Sequence, residues 1–176
     1  MIEFHSPLGE RATPADPYTL GIDLAAHTKP VVGLLANGFP DSENFLRHIG
    51  TELEQLIDGI EVRVWNKGNA SIAAPDTMLE EIQSQCDAVI AAYGHCGSCT
   101  TGTVRDGINT AKRGLPSVAL VTEDFWPQGN FTANSLGMPQ VPRVKLPHPL
   151  AGTGQEHLRA VAKTMVPLIV EQLKND

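Results

Sequence analysis

DAVIAAYGHCGSCTTGTV, residues 87–104, is the stretch that decides the fold. Its first part is a short apolar run of strand length, which is typical of a buried β-strand. From Val104 onward the apolar residues recur at helical spacing, at Val104, Ile108, Ala111 and Leu115. A strand therefore leads directly into a helix, and the turn between them carries Cys96 and Cys99.

Strand-like and helix-like segments alternate along the rest of the chain. The strands are predicted at 30–36, 60–65, 88–93, 117–122 and 141–146, and the helices near 45–56, 76–82, 104–115 and 156–173. Such alternation indicates an open parallel sheet with right-handed crossovers. We predict an α/β protein with a three-layer, mostly parallel sheet, doubly wound and flavodoxin-like, with strand order 2-1-3-4-5. The segment 123–136 is predicted as a long loop that contains a possible short helix.

The N-terminal residues differ from the rest of the chain because they show no clear period and are rich in proline and glycine. We predict an N-terminal arm at 1–28 and a single α/β domain at 29–176. The apolar side chains of the arm need cover from the domain or from a neighbouring subunit. This need favours a homo-oligomer or a heteromer, and the side chains concerned are Tyr18, Leu20, Ile22 and Leu24.

Charge and composition exclude several classes of partner. The chain of 176 residues has a net charge of −7, which argues against binding to nucleic acid or to an anionic membrane. Its apolar runs are of strand length, its N-terminus does not resemble a signal peptide, and it has three cysteines. Neither G-x-G-x-x-G nor the P-loop motif occurs, so nothing points to bound NAD or ATP. We predict a cytoplasmic protein without a bound cofactor.

The two close cysteines indicate reactive sulfur. A thiol at the start of a helix lies beside backbone N–H groups without intrahelical acceptors, and the helix dipole there favours thiolate over thiol. Such a position lowers the pKa of a cysteine by about one to several units. Two alternatives remain open: the pair is buried at a tight turn, or it binds zinc together with His95 and His148. Cys86 is predicted to be a buried apolar residue.

Ligands of doubly wound sheets bind outside the carboxyl ends of the strands, at the switch between the first and third strands. The loops expected there supply His148 and His95 as proton donors. Asp106 is expected to orient the cysteine loop or to pair with Arg105 or Lys112. The expected substrate-binding residues are Asn37, Gly38, Gly97, Ser98, Thr100, Thr101 and Glu123.

The string Cys96-Gly97-Ser98-Cys99-Thr100 resembles the motif of the UGSC family of bacterial (seleno)proteins. Supporting features are Leu35-Ala36-Asn37-Gly38 with Pro40, Asp106, Arg113-Gly114-Leu115-Pro116 and His148-Pro149. The resemblance implies that Cys96 is the reactive chalcogen, at a position where some relatives carry selenocysteine and others cysteine, and that Cys99 is its neighbour. It also implies a distant similarity to the selenoprotein subunits of glycine and proline reductases.

These features predict a thiol-dependent oxidoreductase that acts on a small organic electrophile by reductive cleavage or substitution. Cys96 is the nucleophile, Cys99 resolves the adduct, and an external thiol system reduces the resulting disulfide. Two alternatives differ in class. One is a lyase, isomerase or hydrolase in which Cys96 acts without redox chemistry, and the other is a zinc-binding or accessory subunit of a larger complex.

Overall fold

The computed structural model describes residues 14–174, which form a five-stranded, fully parallel sheet. The strand order is 2-1-3-4-5, which confirms the predicted flavodoxin-like topology. The predicted strands are confirmed, with ends that differ by one or two residues. Their bounds are β1 Val31–Ala36, β2 Glu61–Asn66, β3 Ala88–Gly94, β4 Ser117–Thr122 and β5 Arg143–Leu146.

Helices cover both faces of the sheet, and this arrangement gives the three predicted layers. One face packs against α1 and α5, and the other against α2, α3 and α4. The bounds are α1 Ser42–Leu56, α2 Asp76–Gln85, α3 Gly97–Ala111, α4 Trp126–Ser135 and α5 Gln155–Lys174. Among residues 14–174, these helices include none that is both long and apolar enough to cross a membrane.

The segment 123–136 is mostly helical, whereas the sequence predicted a long loop with a possible short helix. A single 3-10 turn, Glu123–Phe125, is followed by the full helix α4 of ten residues. The residues that α4 buries are small or polar, namely Gly129, Thr132 and Ala133. A helix with so little apolar side chain on its buried face has no hydrophobic period to detect.

The inner strands are buried on both faces, as expected for a parallel sheet between two helix layers. Every residue of β3 and of β4 is buried. The edge strand β5 has only four residues, and Pro142 and Pro147 flank it. Short strands bounded by proline limit pairing with another chain.

Residues 14–28 contribute buried side chains to both faces of the sheet. Tyr18 lies in the layer of α3 and α4, where Ser117 N donates to its hydroxyl at 2.9 Å. Leu24 lies on the opposite face with α1 and α5, and Ile22 N donates to Leu173 O at 2.8 Å. The boundary between the arm 1–28 and the domain 29–176 stays a prediction, and residues 1–13 lie outside the described part of the chain.

The register brings the carboxyl ends of the inner strands together. Ala36, the last residue of β1, is opposite Ala92 in β3, and Asn37 N donates to Ala92 O at 2.8 Å. The pairing of β3 with β4 shifts by one residue after Ala92, so that Gly94 is opposite Val121. The loops that follow β1, β3, β4 and β5 therefore meet at one edge of the sheet.

Candidate active site

Cys96 directly precedes α3. Its backbone is extended (φ −143°, ψ 174°), so it is the N-cap, and Cys99 N donates to its Sγ at 3.2 Å. Sulfur here takes the place of the oxygen with which serine or aspartate usually caps a helix. The Cys96 side chain is only partly buried, whereas Cys99, one turn later, is completely buried.

The two sulfurs form a disulfide, with the Cα atoms of Cys96 and Cys99 5.3 Å apart. The inner sulfur also accepts two backbone hydrogen bonds, from Cys96 N at 2.7 Å and from His95 N at 3.3 Å. Donors of this kind stabilise negative charge on sulfur when the pair is reduced. Cys86, by contrast, is free and buried, and burial raises the pKa of its thiol to about 12.

His95 and His148 lie together, as the sequence predicted for this edge of the sheet. Their rings stack with centroids 4.4 Å apart and planes 24° apart. Burial, and then the neighbouring His148, hold the pKa of His95 below its usual value, while Asp124 acts in the opposite direction. The Nδ1 atom of His95 is buried without a hydrogen-bond partner.

The loop after β4 holds His148 in place. Its Nδ1 lies 3.2 Å from Thr122 Oγ1, and its Nε2 lies 3.6 Å from an Asp124 carboxylate oxygen. Glu123, expected to bind substrate, instead accepts the backbone N–H of His148 at 3.4 Å. The imidazole is partly buried, with 20% of the side chain exposed.

Aromatic rings continue this cluster towards β1. The Phe39 ring lies 5.3 Å from that of His95 and 6.0 Å from that of Tyr93, and Tyr93 lies 5.6 Å from His95. The Tyr93 hydroxyl donates to Pro40 O at 2.8 Å, and burial raises the pKa of this tyrosine. Sequence reasoning missed Phe39 and Tyr93 as parts of the site, although Phe39 follows Gly38 and Tyr93 lies two residues before His95.

Asn37 has a different position from the one expected of a substrate-binding residue. Its side chain is buried, and Nδ2 donates to Tyr93 O at 2.8 Å and to Thr103 Oγ1 at 3.0 Å. Its Oδ1 accepts from Phe39 N at 2.9 Å. Both amide hydrogens are therefore used within the protein, and Asn37 connects the ends of β1 and β3 to α3.

Gly38, expected to bind substrate through its N–H, is exposed and lies where two loops approach closely. Its φ is +87°, and a Cβ at this position would lie 2.6 Å from the carbonyl carbon of Gly68. Thr100 is completely buried, and its hydroxyl oxygen would lie 2.5 Å from a Cβ on Gly94. Glycine at these positions allows the backbone to pack without a side chain between.

Three other predicted residues lie at or near the surface of the first turn of α3. Gly97 and Ser98 are exposed, and Ser98 Oγ lies 3.7 Å from Cys96 Sγ and 3.1 Å from Ser71 Oγ. Thr101 is partly buried, and its hydroxyl donates to Gly97 O at 3.1 Å and accepts from Gln128 Nε2 at 3.2 Å. The exposed start of α3 is therefore next to Cys96.

Asp106 orients the cysteine helix, but through a different partner from either expected one. Its carboxylate pairs with Lys67 at 2.5 Å, and not with Arg105 or Lys112. It also accepts Ala74 N at 2.8 Å. Among residues 14–174, no group of three or more His, Cys, Asp or Glu side chains has an arrangement suited to a metal ion.

The motif that resembles the UGSC family lies at the start of α3 and contains both cysteines of the pair. The sequence model of the UGSC family matches residues 3–175, which is nearly the whole chain. The chain belongs to the UGSC family. The further similarity to glycine and proline reductase subunits stays a prediction for this UGSC protein, and comparison with curated proteins found no match.

Solved structures similar to this UGSC protein are flavodoxin-like. A flavodoxin from Pseudomonas aeruginosa, a cysteine-to-serine variant, is 15% identical with a TM-score of 0.48, over 82% of this chain and 98% of that one. A diflavin flavoprotein from Nostoc sp. is 9% identical with a TM-score of 0.41, over 83% and 97%. A flavone reductase is 14% identical with a TM-score of 0.46, over 82% and 63%.

Flavodoxin-like folds hold FMN at the switch between β1 and β3. In this UGSC protein the start of α1 carries the carboxylates of Asp41 and Glu43, and the Asn37 side chain occupies the space between the ends of β1 and β3. The N-terminus of a helix usually attracts a ligand anion. Here a phosphate would be repelled by the two carboxylates that already lie there. These residues do not fit an FMN phosphate.

Proposed function

We propose that this protein is a thiol-dependent oxidoreductase that uses Cys96 as the nucleophile and Cys99 as the resolving thiol. The observation that carries the proposal is the difference between the two sulfurs. Cys96 is at the surface of the helix start, and Cys99 lies buried behind it within bonding distance. A substrate therefore reaches the first sulfur, and only the first sulfur reaches the second.

The proposed substrate is a small organic electrophile R–X in which R bears a group that stabilises a carbanion. The Cys96 thiolate attacks R, forms a thioether and expels X⁻. The Cys99 thiolate then attacks the Cys96 sulfur, which forms the disulfide and releases R⁻. Protonation of both anions gives R–H and H–X, so the dithiol supplies the two electrons and its two protons balance the products.

The neighbouring residues support this chemistry. His95 and His148 lie at the same edge as Cys96, and an imidazole can both donate and accept a proton. The N–H groups of Gly97 and Ser98 belong to the first helical turn, where intrahelical acceptors are lacking. They are available to an anionic group of the substrate. Thr101 and Glu123 are near this surface and hold the first turn and the His148 loop.

The proposal includes an external thiol reductant that reopens the disulfide after each turnover, and no bound cofactor. It also includes the family expectation that selenium replaces sulfur at the position of Cys96 in relatives. The proposal also places the protein in the cytoplasm, because a reducing compartment supplies the thiol reductant. Association with further subunits is a separate part of the proposal.

The test combines alkylation with a count of free thiols. After reduction, iodoacetamide is applied across pH, and mass spectrometry assigns the modified residue. We expect Cys96 to react fastest, with a rate curve displaced to lower pH than that of a model thiol, and Cys86 to serve as the unreactive internal control. Equal rates at all three cysteines would contradict the proposal.

A second measurement separates the redox reaction from the alternative without redox chemistry. Reduced protein reacts with an electrophilic substrate in the absence of reductant, and its free thiols are counted before and after. Loss of two thiols per chain supports the redox reaction. An unchanged thiol count with product formed would show that Cys96 acts as a nucleophile in a lyase, isomerase or hydrolase. Stoichiometric zinc in an elemental analysis would favour the alternative of a zinc-binding or accessory subunit.

A further inference from the structure

A chain of three hydrogen-bonding groups ends at His148. Thr122 Oγ1 lies 2.9 Å from Gly94 O, and His148 Nδ1 lies 3.2 Å from the same Thr122 oxygen. A carbonyl oxygen only accepts, so the single hydroxyl hydrogen of Thr122 is directed to Gly94. The threonine oxygen must then accept from His148, which places a hydrogen on Nδ1.

The other ring nitrogen of His148 lies beside negative charge. Nε2 is 3.6 Å from an Asp124 carboxylate oxygen, a distance suited to an ion pair and too long for a hydrogen bond. In a neutral ring with its hydrogen on Nδ1, a lone pair at Nε2 would face this carboxylate. A second proton on Nε2 would turn this contact into an ion pair with the carboxylate.

A second carboxylate and two rings are the remaining neighbours of His148. The Glu123 carboxylate accepts the backbone N–H of His148, and the Phe125 ring lies 5.7 Å away. On its other side the ring stacks on His95, whose pKa is held low by burial and by His148 itself. The two stacked rings therefore have different surroundings: a carboxylate faces Nε2 of His148, whereas Nδ1 of His95 is buried without a hydrogen-bond partner.

We propose that His148 is the general acid of the site, with Thr122 and Asp124 as its positioning residues. Thr122 fixes the Nδ1–H tautomer, and Asp124 favours a proton on Nε2, from which it passes to the expelled X⁻ or R⁻. The ring returns to the neutral Nδ1–H form and takes up a proton released from the dithiol. No atom changes oxidation state in this step. The inference rests on the proposed function, which supplies the anion that is protonated.

The tautomer is tested first, by NMR and without any substrate. The protein is labelled with ¹⁵N-histidine, and the His148 signals are assigned by their loss in His148→Gln. At alkaline pH we expect the Nδ1–H tautomer in the native protein and in Thr122→Ser. In Thr122→Val, which keeps the shape of threonine without its hydroxyl, we expect the Nε2–H tautomer to increase. An Nε2–H tautomer in the native protein would overturn the proposal.

The role as an acid is tested with two disulfides of different leaving-group basicity. Ellman's reagent expels a stable aryl thiolate that needs no proton, whereas hydroxyethyl disulfide expels a basic alkyl thiolate. We expect His148→Gln to react with hydroxyethyl disulfide about 10²-fold more slowly and with Ellman's reagent at the native rate. Asp124→Asn should show the same selectivity to a smaller extent, and His27→Gln is the control.

The outcomes separate the two proposals. Equal slowing of His148→Gln with both disulfides would overturn the acid role, because the defect would not depend on the leaving group. Native rates with both disulfides would overturn it as well. Loss of both reactions in Cys96→Ser is expected from the proposed function, and a Cys96→Ser variant that reacts normally would overturn that function while leaving the NMR result unaffected.

Discussion

The Lys67 ammonium lies 2.5 Å from the Asp106 carboxylate, and both side chains are almost completely buried. Lys67 also donates to Ile72 O, and Asp106 accepts the N–H of Ala74. The pair therefore attaches the loop between β2 and α2 to the middle of α3. Because the Ser71 hydroxyl of the same loop contacts that of Ser98, this attachment also positions the surroundings of Cys96.

We expect Lys67→Met to lose about 3 kcal/mol of unfolding free energy, since removal of one partner leaves a buried carboxylate without a counter-charge. Urea denaturation measures the loss. Arg47→Met is the matched control, because its pair with Glu43 is exposed and spans one helical turn. That variant should lose no more than about 0.5 kcal/mol. Similar losses in the two variants would contradict the burial argument.

The loss in Lys67→Met should grow as the pH rises. Burial raises the pKa of Asp106 above its usual value, although Lys67 and the Ala74 N–H act to lower it. A folded-state pKa above the unfolded one makes stability fall with rising pH, from about pH 4 up to the folded value. Without Lys67 the folded-state pKa of Asp106 rises further, so the stability of the variant falls over a wider pH range. The urea midpoint of Lys67→Met should therefore lie further below that of the native protein at pH 8 than at pH 5.

Gly38→Ala should destabilise the protein more than Gly114→Ala. Both glycines have positive φ, +87° and +85°, which costs an L-residue about 1–2 kcal/mol. A Cβ on Gly38 would also lie 2.6 Å from the Gly68 backbone, whereas nothing lies within 4 Å of one on Gly114. Thermal and urea unfolding compare the two variants, and equal losses would show that the two loops are not in close contact.

His95→Gln should reduce the loss of stability on mild acidification. The pKa of His95 is lowered, first by burial and then by His148. The unfolded chain then binds protons more readily, so this residue contributes stability above about pH 6.5 that is lost as the pH falls to the folded value. Urea midpoints at pH 5, 6 and 7 should vary less in His95→Gln than in the native protein or in the exposed control His27→Gln. A native-like slope would contradict this.

Cys99→Ser should trap a covalent adduct on Cys96. When the reduced protein meets a small disulfide, the native chain should release the bound half within the reaction, because the Cys99 thiolate displaces it. In Cys99→Ser the mixed disulfide should persist, and intact-mass measurement detects it. Cys86→Ser, which changes a buried thiol with a pKa raised to about 12, should behave as the native protein does. A persistent adduct on the native chain would remove the role of Cys99 as a resolving thiol.

Much of the fold was predictable because local pattern and buried surface agree. The inner strands are continuous apolar runs, and alternation with helices leaves few topologies for a parallel sheet. The position of Cys96 at the start of α3 followed in the same way, from a strand and a helix separated by a few residues. The extent of helix α4 was underestimated because its buried face consists of small and polar residues.

The site was predictable only as a set of loops. That the residues after β1, β3, β4 and β5 meet at one edge follows from the direction of parallel strands. The roles of individual residues did not follow. Asn37 and Thr100 were expected to bind substrate, but Asn37 donates both amide hydrogens within the protein and Thr100 is completely buried.

By itself the sequence determined the alternation of strands and helices and the placement of two sulfurs at a helix start, because these depend on periodicity and on short separations along the chain. The strand order was predicted as the usual arrangement of such an alternation. Only the tertiary structure decided that His95 stacks on His148 and that Lys67 pairs with Asp106. The partners in each contact are 53 and 39 residues apart. Such contacts depend on the exact packing of loops and helices, which a one-dimensional pattern does not encode.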